Sequence, residues 1–204
     1  MLDAIQIAII GSQSTGKTTL ANGYIDHMKS LDRDCWVTDD GCARAVAKKG
    51  TVINEAGTYV TQIEIARELV NRFQPGVNKG ESSVCYSPRV IRVSTLVRFW
   101  AYMKYVVNFN INSTTADIAT MNVLHEWALY ELYSVFHEII YLPIEFKPVE
   151  DGVRSIDSKY QYTIDCYIAE ILKESGVKYH TIKGDVQQRF ERLRSILFRY
   201  YTGG

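Results

Sequence analysis

The feature that most constrains the fold of this chain is an apolar segment that ends at a glycine-rich loop. Residues 4–10 read Ala-Ile-Gln-Ile-Ala-Ile-Ile, which is typical of a buried strand in a parallel sheet. Residues 11–18 read Gly-Ser-Gln-Ser-Thr-Gly-Lys-Thr and fit the pattern G-x-x-x-x-G-K-[ST] without a mismatch. A helical pattern follows from Lys17 to about Leu31. A strand, a glycine-rich loop and a helix in this order indicate an α/β fold.

The loop has the composition of a phosphate-binding loop. Its glycines let the backbone curl so that successive N–H groups point at phosphate oxygens, and the following helix adds the positive end of its dipole. Lys17 is predicted to reach the β- and γ-phosphates of ATP, and the Thr18 hydroxyl is predicted to bind Mg²⁺. The residues expected to contact ATP are Gly11, Ser14, Thr15, Gly16, Lys17 and Thr18.

The rest of the sequence alternates between strand and helix patterns. Further strand patterns lie at residues 35–38, 90–93, 138–142 and 178–182, and helical patterns lie at 59–73, 96–107, 116–136, 160–174 and 184–200. Such alternation predicts a sheet of about five parallel strands with helices on both faces. We expect a single domain over residues 1–204.

Composition excludes several classes of protein. Among the 204 residues, 23 Lys and Arg balance 23 Asp and Glu, which argues against a strongly basic nucleic-acid module but allows a local basic groove. No apolar run reaches the roughly 18 residues of a membrane helix, so no membrane association is expected. The four cysteines are scattered and favour reduced thiols in a cytoplasmic protein. Nothing in the sequence indicates the oligomeric state.

The remaining motifs favour a small-molecule kinase among proteins with this loop. A GTPase would need a base-reading Asn-Lys-x-Asp motif, which the chain lacks. A motor ATPase usually has an apolar strand that ends in a carboxylate, and no Asp or Glu occurs from Ser82 to Thr115. The size and the α/β pattern suit a kinase.

A kinase that acts on an alcohol needs a carboxylate to orient or accept the hydroxyl proton. Asp39 and Asp40 follow the second predicted strand, and the carboxyl ends of parallel strands face the phosphate loop. We expect one of the two, with a slight preference for Asp40, to act as the base or as a metal ligand. The alternative is that they cap the next helix.

Tyr102 and Trp127 are candidates for stacking on an acceptor base, although most aromatic residues belong to the core.

Five stretches of the sequence carry a resemblance to a known family. They are residues 11–19, 43–62, 100–105, 142–155 and 184–189. In these stretches the chain resembles the nicotinamide-riboside-kinase-like branch of P-loop kinases, which includes the kinase domain of bacterial NAD-salvage regulators and short phage kinases. The likeness spans nearly the whole chain in order, and the phosphate loop and the Asp-Gly-Val-Arg unit at 151–154 are its most specific parts.

The resemblance implies ATP-dependent phosphorylation of a hydroxyl on a nucleoside-like substrate. It also implies a lid at about residues 147–160, in which Arg154 would neutralise charge on the transferred phosphoryl group and Asp151 would face the substrate. Further roles implied by the resemblance are ATP binding by Thr19, Asp185 and Arg189, and substrate binding by Arg44.

The third predicted strand departs from the family pattern. Related kinases usually carry Asp-Arg or Asp-x-Asp there, whereas this chain has no carboxylate and instead has Arg92 and Arg98. Three interpretations are open. Asp39 or Asp40 takes over the metal role, the arginines bind an anionic substrate such as a nucleotide or a DNA phosphate, or the protein binds ATP and catalyses poorly. A fourth interpretation is that both arginines are solvated surface residues.

The sequence therefore predicts a kinase that transfers the γ-phosphoryl group of ATP to a hydroxyl of a nucleoside- or nucleotide-like acceptor. Hydroxymethyluracil in DNA is one candidate acceptor, since short phage members of such groups accompany DNA modification. The alternative function is an ATP-binding regulator or weak ATPase with little transferase activity.

Overall fold

In the part of the chain that the structure describes, five parallel strands form the sheet at the centre of the fold. The computed structural model describes residues 5–31, 36–38, 42–54, 57–73, 89–148 and 155–200. In chain order the strands are β1 (Ile5–Ile10), β2 (Trp36–Thr38), β3 (Arg89–Arg92), β4 (Glu138–Tyr141) and β5 (His180–Thr181). Their order across the sheet is β2-β3-β1-β4-β5, so β1 lies at the centre. The predicted parallel α/β sheet of about five strands is confirmed.

The described residues include seven α-helices, six of which lie between the strands. They are α1 (Lys17–Ser30), α2 (Cys42–Lys48), α3 (Tyr59–Phe73), α4 (Leu96–Phe109), α5 (Thr115–Ser134), α6 (Ser158–Ser175) and α7 (Val186–Leu197), and a short 3₁₀ helix spans Phe198–Tyr200. Helices cover both faces of the sheet, as predicted. Buried residues of α1 and α7 pack on one face, and those of α2 to α6 form the core on the other.

One carboxylate fixes the starts of two helices. Asp117 and Thr114 form a capping box at the start of α5, in which the Thr114 hydroxyl accepts from the Asp117 N–H and the Asp117 carboxylate accepts from the Thr114 N–H. The other carboxylate oxygen of Asp117 accepts from the Tyr59 N–H at 3.1 Å, where α3 begins. Burial raises the pKa of Asp117, but these hydrogen bonds outweigh burial and lower it. The start of α3 is therefore tied to α5.

The buried face of α3 differs from the one its apolar residues predict. Helical spacing places Ile63 and Ala66 on one apolar face, yet Ile63 is 43% exposed. Thr61, Gln62 and Ile65 are buried instead. The reason is that the polar side of α3 faces an internal cavity, while Ile63 lies in an open groove beside α5.

Two of the four cysteines can be placed in the structure. Cys42 is buried and Cys166 is exposed, and each carries a thiol that forms no disulfide with a described residue. Cys35 and Cys85 lie outside the described residues. In the part of the chain that the structure describes, no helix is long and apolar enough to cross a membrane.

Candidate functional site

The phosphate loop lies at the carboxyl end of the central strand. Ile7 to Ile10 of β1 are completely buried, so the sheet fixes the point where the loop begins. Within the loop Gly16 has φ +86° and Ser14 has φ +58°, both in the left-handed region that a side chain disfavours and glycine tolerates. Gly16 directly precedes the first residue of α1. The loop therefore curls back over the start of the helix, as an anion-binding loop does.

Gly11 is required because the chain passes too close to its neighbours for a side chain. A Cβ atom at this position would lie 2.5 Å from the carbonyl oxygen of Leu142 and 2.8 Å from the hydroxyl of Thr15. By contrast, Gly23 in α1 has nothing within 4 Å of its Cβ position. The two glycines thus differ in what they do for the fold.

The substitutions Gly11→Ala and Gly23→Ala are expected to act in opposite directions. Gly11→Ala forces the Leu142 backbone or the loop to move, which we expect to lower the free energy of unfolding by about 2 kcal/mol. Gly23→Ala removes a helical glycine and should raise it by roughly 0.5–1 kcal/mol. Urea unfolding of both variants measures the two values. Equal effects of the two substitutions would contradict the close approach at Gly11.

Lys17 is buried at the base of the loop. Its side chain is only 7% exposed, and its ammonium group donates to the Ser12 carbonyl and, at 3.3 Å, to the Thr15 hydroxyl. The Thr15 hydroxyl also donates to the Ser12 carbonyl at 3.0 Å. These contacts hold the cation against the loop, where phosphate oxygens would replace the Ser12 carbonyl as its partner.

Helix α7 supports the loop from outside through Arg189. This buried guanidinium donates to the Thr15 carbonyl at 2.6 Å, to the Gly184 carbonyl at 2.8 Å and to the Glu145 carboxylate at 2.5 Å. The Phe146 ring lies 4.7 Å from the guanidinium carbon. Although partial burial raises the pKa of Glu145, hydrogen bonds from Arg189 and the Gly184 N–H lower it below its usual value. Arg189 therefore positions the loop directly, which the ATP-binding role implied by the resemblance did not include.

Helix α6 supports the loop from the opposite face of the sheet. Gln161 donates to the Gln13 carbonyl at 2.8 Å. Asp165, one helical turn later, accepts from the Tyr141 hydroxyl at 2.8 Å, and Tyr141 ends β4. The other carboxylate oxygen of Asp165 and the Ser12 hydroxyl are buried without a hydrogen-bond partner among the described residues. The arrangement places a carboxyl group behind the phosphate loop.

Burial raises the pKa of the Asp165 carboxyl above its usual value. The hydrogen bond from the Tyr141 hydroxyl and the positive charge of Lys17 oppose this rise only in part. Asp165 therefore holds its proton more tightly in the folded chain than in the unfolded chain. Its contribution to stability is complete below the unfolded pKa, near 3.8, and is lost as the pH rises through the folded pKa.

The substitution Asp165→Asn is expected to change how stability depends on pH. Because the charged form of Asp165 is disfavoured in the fold, the variant should gain stability relative to the wild type as the pH rises from about 4 to 7. Urea unfolding at several pH values measures this difference. The substitution Asp26→Asn, at an exposed carboxylate of α1, is the matched control. A difference that stays constant across the pH range for Asp165→Asn would show that burial does not disfavour its charge.

A cavity of about 220 Å³ opens beside the loop. Residues from the loop, α2, α3 and α4 surround it. They are Gln13, Gly16, Lys17, Thr18, Thr19, Cys42, Ala43, Arg44, Ile53, Asn54, Thr61, Gln62, Ile65, Ser94, Arg98, Phe99 and Tyr102. The described lining contains three cationic side chains and no carboxylate. Such a cavity is suited to an anionic or strongly polar ligand next to the phosphate loop.

The structure brings together many of the residues predicted from the sequence. Arg44, Arg98 and Tyr102, predicted to bind substrate, line the cavity with Lys17, Thr18 and Thr19. Tyr102 donates to the Gln13 side-chain oxygen at 3.4 Å, and the Arg98 guanidinium carbon lies 5.7 Å from the Tyr102 ring centre. Arg98 also donates to the Val93 carbonyl at 2.9 Å.

Two predicted substrate residues do not reach this cavity. Arg92 donates through Nε to the side chain of Gln6 on the neighbouring strand at 3.1 Å, which holds it over the sheet. Trp127 is 58% exposed and lines the open groove between α3 and α5, because Leu124 and Ala128 occupy the inward face of α5. The structure therefore does not bring these two residues to the cavity, and their contact with an acceptor stays a prediction.

Asp185 stabilises the start of α7. It is the N-cap of α7, where its carboxylate accepts from the Gln188 N–H at 2.9 Å in a capping box. Asp39, Asp40, Asp151 and Arg154 lie outside the described residues, so their roles as base, substrate contact and lid stay predictions.

The residues that support the loop were not predicted from the sequence. Gln161 and Asp165 lie four residues apart on one face of a helix, a spacing that could have marked them as a pair. The Glu145–Arg189 pair has no comparable signal, because 44 residues separate its members. Gln62 was part of a family-like stretch but carries a buried side-chain oxygen that only the fold reveals.

The residues present fit a nucleoside triphosphate and Mg²⁺. The Ser14 hydroxyl is buried without a hydrogen-bond partner among the described residues, and the Lys17 ammonium group faces the same loop. Thr18 would supply one hydroxyl ligand to Mg²⁺, with the remaining ligands from phosphate oxygens and water, the pattern common for this ion. Mg²⁺ bound with the nucleotide would neutralise phosphate charge.

The strand order and this loop define a P-loop domain with a nucleoside or nucleotide kinase-like fold. A family described as AAA domain matches residues 6–189, and the chain belongs to this family. No curated protein sequence matches the chain at a significant level.

Three solved structures illustrate the likeness in fold. A structure of NadR protein in complex with NR has a TM-score of 0.67 and 16% identity, with 98% of this chain and 52% of that chain covered. Thymidylate kinase from Candida albicans has a TM-score of 0.62 and 15% identity, with 98% and 93% covered. Deoxyadenosine kinase from M. mycoides has a TM-score of 0.57 and 18% identity, with 96% and 100% covered. The chain thus spans about half the length of the NadR chain.

Proposed function

We propose that the chain is an ATP-dependent kinase that transfers the γ-phosphoryl group to a hydroxyl of a nucleoside- or nucleotide-like acceptor. The observation that carries this proposal is the buried Lys17 of the phosphate loop at the edge of a cavity with two further cations, Arg44 and Arg98. Similarity in fold to thymidylate kinase and deoxyadenosine kinase supports it. Hydroxymethyluracil in DNA remains one candidate acceptor.

The reaction balances as a single displacement. The acceptor hydroxyl oxygen forms a bond to the γ-phosphorus while the bond from that phosphorus to the β–γ bridging oxygen breaks, and ADP leaves with the bonding pair. Lys17 and the loop N–H groups stabilise the charge on the phosphate oxygens. The hydroxyl proton passes to a carboxylate, for which Asp39 and Asp40 are the predicted candidates. Arg154 belongs to the lid proposed for residues 147–160, which would close over the phosphates. This lid would be part of the single domain proposed for the chain.

A transfer screen with γ-labelled ATP and Mg²⁺ tests this function. The acceptors would be nicotinamide riboside, nucleosides, deoxynucleotides, and DNA with thymine or hydroxymethyluracil. We expect label to move to at least one acceptor and to be lost in the variant Lys17→Ala. Label that appears only as free phosphate, at the same rate with every acceptor, would contradict a kinase.

One observation favours the alternative of an ATP-binding regulator or weak ATPase. No carboxylate lines the described part of the cavity, and β3 ends in Arg92 where related kinases carry Asp. If ATP binds through Lys17 and no acceptor takes label, this alternative replaces the proposed kinase.

A further inference from the structure

The charge of the cavity indicates what kind of acceptor would fill it. Lys17 belongs to the phosphate loop and is expected to bind the donor. Arg98 lies beyond it in the same cavity, and no carboxylate is among the described lining residues. A cation that lines a cavity is costly unless an anion accompanies it. The cavity therefore suits a second anion besides the triphosphate.

Arg98 is the residue best placed to hold that anion. It lies in the first turn of α4, where the helix dipole favours negative charge, and that turn contains no acidic residue. Among the described residues, its Nε is buried without a hydrogen-bond partner, and the guanidinium forms no ion pair with a carboxylate. Glu131 of α5 accepts from the Leu96 N–H at 2.8 Å, but it does not line the cavity. The guanidinium thus retains donors for an anionic ligand.

The neutral groups of the cavity suit a base and a sugar. Gln62 and Gln13 are each about 5% exposed. The Gln62 Oε1 acceptor and the Gln13 Nε2 donor are both buried without partners among the described residues. Phe99 and Tyr102 add rings to the same lining. One unpartnered donor, one unpartnered acceptor and two rings match the edge and face of a nucleobase better than inorganic phosphate or a simple sugar phosphate.

We infer that the acceptor carries a phosphate group: it is a nucleotide, free or within single-stranded DNA, and Arg98 binds its phosphate. This inference rests on the proposed function, because it names the acceptor of the same site. It differs from the uncharged nucleoside-like acceptor that the family resemblance implies. Free nucleotides and DNA share the phosphate chemistry that Arg98 would recognise.

Calorimetric titration tests the inference with the donor site filled by Mg²⁺ and a non-hydrolysable ATP analogue. The ligands are the four deoxynucleosides, their 5′-monophosphates and the corresponding dinucleotides. We expect phosphate-bearing ligands to bind about 10- to 100-fold more tightly than the nucleosides, as one charge-assisted interaction provides. Tighter binding of the dinucleotides would identify DNA as the acceptor, and tighter binding of the monophosphates would identify a free nucleotide as the acceptor.

Variants assign this preference to Arg98. In Arg98→Met, the Kd values of nucleosides and of phosphate-bearing ligands should become nearly equal, which brings their ratio close to one. Arg98→Lys should keep part of the preference for phosphate-bearing ligands because the positive charge remains. Gln62→Glu, which keeps the side-chain shape, should weaken binding of the monophosphates more than of the nucleosides. Arg194→Met removes an exposed arginine of α7 and should keep the wild-type ratio.

The outcomes separate this inference from the proposed function. Nucleosides that bind as tightly as nucleotides, no binding of either, or an unchanged ratio in Arg98→Met would each overturn the inference. If label then still moves to nucleosides in the transfer screen, the kinase function stands without it. If no label moves to any acceptor but the binding preference holds and depends on Arg98, the inference stands and the kinase function falls.

Discussion

Replacing Lys17 with alanine is expected to abolish phosphoryl transfer, with a loss of at least about 10³-fold in kcat. Its ammonium group is buried in the phosphate loop, where it donates to the Ser12 carbonyl and the Thr15 hydroxyl. Removing it leaves the negative charge that develops in the reaction without its main protein partner. Initial rates with γ-labelled ATP at saturating acceptor measure the effect.

The matched control for this experiment lies on the same helix. Lys29 is an exposed lysine near the end of α1, and Lys29→Ala removes the same charge far from the loop. We expect it to keep the wild-type rate. Thermal unfolding of Lys17→Ala verifies that the loop variant folds. Transfer at more than a tenth of the wild-type rate by folded Lys17→Ala would remove Lys17 from the mechanism.

Replacing Arg189 with methionine is expected to cause the largest loss of stability. The guanidinium is 3% exposed and joins the Thr15 carbonyl, the Gly184 carbonyl and the Glu145 carboxylate. The substitution leaves these three acceptors without their shared donor, and we expect the free energy of unfolding to decrease by about 3 kcal/mol. ATP binding should weaken as well, because the Thr15 carbonyl belongs to the phosphate loop. Urea unfolding and ATP titration measure the two effects.

The pH dependence of this variant provides a second test. In the wild type the lowered pKa of Glu145 contributes stability that is present above its usual pKa, near 4.5, and is lost as the pH falls through the folded value. Arg189→Met should lack most of this acid-sensitive contribution. Arg194→Met, at an exposed ion pair on the same helix, should change stability by less than about 0.5 kcal/mol. Equal losses for the two arginine variants would show that Arg189 does not support the loop.

Much of the fold could be predicted because its signals are local. The apolar run before Gly11, the loop pattern and the helical start at Lys17 are encoded by neighbouring residues, and all three appear where expected. Parallel strands and helices also have distinct apolar periods, so their alternation along the chain indicates a sheet covered by helices. Ile63 is the exception. Its spacing agrees with the apolar face of a helix, but its exposure depends on which element packs against that face.

The site was less predictable because it is assembled from distant segments. Arg92 and Arg98 look alike in sequence, yet only Arg98 of the two lines the cavity, since Arg92 is held by Gln6 on the next strand. Trp127 has the chemistry of a base-stacking residue but faces away from the cavity. Residue type indicates which interactions a side chain can make, but the packing of strands and helices decides which side chains line the cavity.

By itself, the sequence determined the phosphate loop, the α/β alternation and the cations from which a site could be built, because these depend on near neighbours and on residue chemistry. Contacts between distant segments, which the sequence does not reveal, place Arg189 and Asp165 beside the loop and bring Arg98 and Gln62 into one cavity. The physical reason is that burial, unpartnered polar atoms and shifted pKa values arise from packing between segments far apart in the chain, which no local pattern encodes.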